Sequence, residues 1–60
     1  MFIQVTAVFE NFSRPVFVQV SHVVAVSTNN DNRTTILLSV GEDVIVAESV
    51  KQVIDLIAGR

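Results

Sequence analysis

The 60-residue chain has no cysteine, tryptophan or tyrosine, a single histidine, one proline, two glycines and only four basic residues. Without cysteine no disulfide can staple the fold, and with His22 as the sole imidazole a structural zinc site lacks its donors. The four cations, Arg14, Arg33, Lys51 and Arg60, are scattered among six acidic residues for a net charge of −2. One chain therefore presents no basic stripe of the kind that follows a phosphate backbone. No apolar run approaches the roughly 20 residues of a membrane-spanning helix. The apolar opening, residues 1–9, lacks the charged first region, long apolar centre and cleavage site of a signal peptide. A cytoplasmic protein with no membrane span is the expectation, and in that setting the two Asn-x-Ser/Thr sequons at Asn11 and Asn32 carry no glycan.

Half of the residues are hydrophobic and 17% are charged, a core-rich composition in a chain that has room for one domain, residues 1–60. A 6.6 kDa chain that folds compactly buries roughly 5,700 Å². With about 60% of that apolar, at about 25 cal/mol per Å², burial contributes ~85 kcal/mol against ~90 kcal/mol of ordering entropy. The two nearly cancel, so a chain this small needs a staple. Disulfides are excluded and no metal or cofactor is implied; a partner chain is the route that remains.

β-Branched and aromatic residues dominate up to residue 47, interrupted by turn-forming clusters. The spacing predicts strands over residues 2–9, 15–20, 23–28, 34–40 and 43–48. In the first, Ile3, Val5, Ala7 and Phe9 share one face and Gln4 and Thr6 the other. Pro15 fits only at a strand start or on an edge. The tetrad Asn29-Asn30-Asp31-Asn32 marks a loop. Gly41-Glu42 suits a two-residue hairpin turn with Gly first, which pairs Leu38 with Ile45 and Leu37 with Val46; the competing register would put Val40 at a positive φ. Either way, Ile36 to Leu38 and Val44 to Val46 place apolar side chains on both faces of the sheet.

A helix is predicted over residues 49–58. Ser49 is a good N-cap and Gln52, three residues on, completes a capping box. Val50, Val53, Ile54 and Ile57 form its apolar stripe, and Gly59 ends it. The fold class is thus α+β, mostly β: a small antiparallel sheet of four to five strands with one C-terminal helix on one face. The other apolar face then needs a cover.

Residues 20–57, with a His-containing bend, Thr34-Thr35, Gly41 and the run Val46-x-Glu48-Ser49-Val50-x-x-Val53, resemble the FlbD type of small flagellar proteins. Short phage and bacterial proteins of unassigned function look similar. The β-plus-helix ending is also similar to that of LytTR-type DNA-binding domains. The first resemblance implies a small non-enzymatic accessory protein and no catalytic residues.

Each residue with chemistry to offer has a plainer reading. His22 in a bend reads as a surface residue. Asn29 to Asn32 hold too few carboxylates for a calcium cage. Glu42 and Asp43 point to opposite faces, and Glu48 suits a helix N-terminus rather than acid–base work. Ser49 is accounted for as a cap. Phe2, Phe9, Phe12 and Phe17 lack the interleaved cations of a single-strand-binding platform. No catalytic, cofactor or metal residue is assigned. The expected function is a non-enzymatic, self-associating interaction or accessory protein of bacterial or phage origin, a dimer or larger, with Phe2, Phe17, Leu37, Leu38, Val44 and Val46 as interface candidates and room for an unidentified protein partner. The residues 2–9 strand is a second candidate, as an exposed pairing edge. The alternative is a LytTR-like nucleic-acid-binding regulator, with Arg14 and Arg33 brought together by dimer symmetry; the charge balance disfavours nucleic acid.

Overall fold

Alternation of apolar and polar residues builds β1, Phe2–Val8, with Ile3, Val5 and Ala7 on its buried side. The computed structural model, which describes residues 1–59, continues with β2 (Ser13–Gln19), one 3-10 turn (Val20–His22), β3 (Val23–Thr28), β4 (Thr34–Leu38), β5 (Asp43–Val46) and the helix α1 (Val50–Ile57). The strands form one antiparallel sheet in the order β2-β1-β5-β4-β3, with the helix packed on it. This is the α+β, mostly-β architecture read from the sequence.

The order corrects one expectation. β1 lies second in the sheet, bonded along its whole length to β2 and to β5 at Ala7–Val46, so the outer strands are β2 and β3. Pro15 sits in β2 opposite Thr6, on an outer strand, where a missing N–H is tolerated.

The β4–β5 hairpin is shifted from the expected register. Thr34 faces Val46, Thr35 faces Ile45, Ile36 faces Val44 and Leu37 faces Asp43. Leu38 N–H donates to the Glu42 carbonyl at 2.9 Å, and Gly41 N–H donates to the Leu38 carbonyl at 3.0 Å. The loop is therefore three residues, Ser39-Val40-Gly41, with Gly41 in the last position at φ +86°. A three-residue hairpin uses its left-handed residue there, which keeps Val40 out of the positive-φ region without the two-residue turn.

The β1–β2 turn is tight: Phe9 N–H donates to the Phe12 carbonyl at 2.8 Å. Neither Glu10 nor Asn11 has a positive φ. Phe9 and Phe12 stack across the hairpin end with centroids 4.8 Å apart. In the β3–β4 loop, the Asn29 carboxamide oxygen accepts the N–H groups of Asp31 and Arg33, and Asn32 takes the left-handed conformation at φ +60°. Asn side chains commonly organise turns this way.

At the helix start both halves of the capping box are present. Gln52 N–H donates to Ser49 Oγ at 3.1 Å and Ser49 N–H donates to Gln52 Oε1 at 2.8 Å. The apolar stripe is rotated from the expected one: Val53 is fully buried and Leu56 and Ile57 pack on the core, while Ile54 is 50% exposed. Ile54 lies about 100° around the helix from Val53, and in two turns the sheet reaches only the face centred on Val53. The core joins Ile3, Val5, Val18, Ile36, Val46 and Val53.

Candidate interaction surface

The helix covers one side of the sheet, so pairing decides which side chains stay outside. Phe2 lies beside Gln19 and Phe17 beside Gln4 in the β1–β2 ladder; Ile45 lies beside Thr35 and Leu37 beside Asp43 in the β4–β5 ladder. All these positions alternate with core residues and so face away from the helix. Among them Phe17 is 69% and Phe2 63% exposed, and Leu37 and Ile45 are also exposed. On this face Asp43 alone among the strand residues is charged.

β1 and β5 are joined over a short stretch, by the Ala7–Val46 pair and by Ala47 N–H donating to the Thr6 carbonyl at 2.9 Å. Between the β1–β2 and β4–β5 hairpins lies an open cleft of about 750 Å³. Phe2, Phe17, Leu38 and Val44 all line it, with His22, Glu42 and Asp43 as its titratable members. The structure thus brings four of the six interface candidates around one cleft and puts Leu37 on the outer face. Val46, 1% exposed, belongs to the core, and Val44 and Leu38 also pack against that core from their inner sides.

The polar residues weighed as sites are engaged locally. His22 Nδ1 and Ser39 Oγ lie 2.9 Å apart at the surface, and Ser39 N–H donates to the His22 carbonyl at 2.8 Å, so the pair ties the 3-10 turn to the β4–β5 loop. Glu48 holds β1 rather than the helix N-terminus: its carboxylate accepts Thr6 N–H at 2.8 Å and Thr6 Oγ1–H at 3.0 Å. No local pattern signals this contact, which joins residues 42 positions apart and depends on the strand order. Arg14 lies over the Phe9 ring at 5.5 Å. Arg33 lines a shallow groove with Phe9, Glu10 and Asp31. Among the described residues, no three His, Cys, Asp or Glu side chains gather as a metal cage, and no helix is long and apolar enough to cross a membrane. No family model, curated protein or solved structure matches this chain.

Proposed function

We propose that this chain is a non-enzymatic interaction module that works as a homo-oligomer, with the cleft between its two hairpins and the face around Phe17 as the contact surface. The observation that carries the reading is the exposure of Phe2 and Phe17 beside that apolar cleft. A single chain thus leaves outside apolar surface that its thin stability balance needs covered. Closed two-fold pairing is the commonest way to cover such a patch. The resemblance of residues 20–57 to small flagellar accessory proteins supports the same class of role.

The test is sedimentation of the unmodified chain beside Phe17→Lys and Leu37→Asp, two outward-facing substitutions. The unmodified chain is expected to sediment as an oligomer and both variants as smaller species, because a buried unpaired charge costs several kcal/mol. An electrophoretic shift with mixed DNA and RNA at low salt tests the nucleic-acid alternative: salt-sensitive binding would displace the present reading, and silence down to low ionic strength counts against a regulator.

A further inference from the structure

The two outer strands differ in a way that bears on how copies meet. In antiparallel ladders the main-chain groups of successive residues point alternately toward and away from the neighbour. In β2 the inward series is fixed by Phe9 N–H donating to Phe12 at 2.8 Å and Val20 N–H donating to Met1 at 2.9 Å. Its outward series is therefore Ser13, Pro15, Phe17 and Gln19, and Pro15 removes a donor from the middle of it. In β3 the inward series is fixed by Asn29 N–H donating to Arg33 at 2.8 Å, so Ser27 and Ala25 face β4. On the other edge of β4, Leu38 N–H donates to Glu42 at 2.9 Å, consistent with that alternation. Val26 and Thr28 then present their N–H and carbonyl groups outward. The strand Val23-Val24-Ala25-Val26-Ser27-Thr28 carries no charge and no proline, the two devices that most often blunt a free edge; its one irregularity is the register shift between Val23 and Ala25.

Resting on the reading of the chain as a self-associating module, we infer that β3 pairs antiparallel with β3 of a second copy, across a two-fold axis at Ser27. The free groups are self-complementary in that register. Val26 of each copy faces Thr28 of the other, and each of these pairs exchanges two main-chain hydrogen bonds. The residues on the axis are serines, small enough to lie opposite one another in a close pair. An uncharged strand meets its own copy without like-charge repulsion. A two-fold perpendicular to the sheet keeps both helices on one side, so the outward faces bearing Leu37 and Phe17 become continuous. β2 is the poorer edge: Pro15 breaks its outward series, so the equivalent register is confined to Phe17 opposite Gln19 at the very end of the strand, with no donor to extend it at Pro15.

Amide hydrogen exchange followed by NMR, across a range of protein concentrations, tests this directly. The Val26 and Thr28 amides are expected to exchange freely in dilute solution and to become protected as concentration rises, together with a doubling of mass from 6.6 kDa. Thr28→Pro removes one outward donor and leaves the bonds to β4 in place, so it is expected to leave the Val26 amide unprotected at every concentration, with the circular dichroism spectrum retained and association through the cleft unaffected. Should that variant fail to fold, Thr28→Lys keeps the N–H, adds an edge charge and is expected to show the same loss of Val26 protection. Val26 and Thr28 amides that stay unprotected while the unmodified chain associates, or Val26 protection that survives the Thr28 substitution, overturn the edge pairing and leave association through the cleft standing. An unmodified chain that stays monomeric at every concentration overturns both.

Discussion

Glu48 is the side chain whose removal should reveal most about how the fold is held. Its carboxylate is part-buried and accepts both the main-chain N–H and the hydroxyl of Thr6, at 2.8 and 3.0 Å. These bonds fasten the segment between β5 and α1 to β1, where the β1–β5 ladder itself contains one bonded pair. A hydrogen bond to a charged group contributes about 1.5–3 kcal/mol, and losing the acceptor leaves the Thr6 N–H without a partner. Glu48→Ala is therefore expected to cost about 2–3 kcal/mol. Glu48→Gln keeps one acceptor oxygen without the charge and should cost about half as much, since charge-assisted bonds are roughly twice as strong as neutral ones. Thr6→Val removes only the hydroxyl bond and should cost about 1 kcal/mol. The residues touch, so a double-mutant cycle should show a coupling of about 1 kcal/mol. For a domain this small each kcal/mol moves the melting temperature by about 4–8 °C, so Glu48→Ala should melt roughly 10–20 °C lower. Urea unfolding must be run at one fixed protein concentration, because association adds to apparent stability. A Glu48→Ala chain within about 0.5 kcal/mol of the parent, the scatter of ordinary surface substitutions, would mean that the Thr6–Glu48 bonds do not hold β1 in place.

Other positions give sharper single readouts. Ser49→Ala should lose about 1 kcal/mol through the capping box, with Ser49→Asp better tolerated than Ala; equal melts for all three chains would mean that the cap does not hold the helix. Gly41→Ala meets nothing within 4 Å, so its cost is the left-handed backbone alone, about 1–2 kcal/mol, and Gly41→Asn should recover part of it. Ile36→Ala empties a site with 0% exposure and should cost about 2–5 kcal/mol, enough to leave the chain largely unfolded by circular dichroism; a native-like melt would show that the core is not centred there.

Local chemistry made much of this fold legible in the sequence. Ser49 and Gln52 lie three apart and cap the helix start as their spacing requires, and Asn29 to Asn32 form the loop their side chains suit. Alternation in β1 set Ile3, Val5, Ala7 and Phe9 on one face; the first three are buried, whereas Phe9 lies just past the strand's end, 43% exposed and stacked on Phe12. What the sequence did not reveal depends on partners far along the chain. Gly41 announced a turn, but whether it came first or last in the loop was decided by how Ile36 and Val46 both reach the core. That choice put Leu37 outside and Leu38 inside. Val50, Val53, Ile54 and Ile57 made an equally regular stripe on paper, yet the sheet selected Leu56 over Ile54. Among the interface candidates, Phe2 and Phe17 were legible as large apolar residues in alternating strands. Their meeting with Val44 around one cleft follows from β1 lying between β2 and β5, an order that no local signal encodes. The outer position of β3 is of the same kind.

Self-association is measured by size exclusion coupled to light scattering, read beside the melting temperature over a hundredfold range of protein concentration. A self-associating chain should show a mass at least twice 6.6 kDa at micromolar concentration and a melting temperature that rises with concentration, because folding and association are linked. A well-folded 6.6 kDa species whose melt does not move with concentration would contradict self-association.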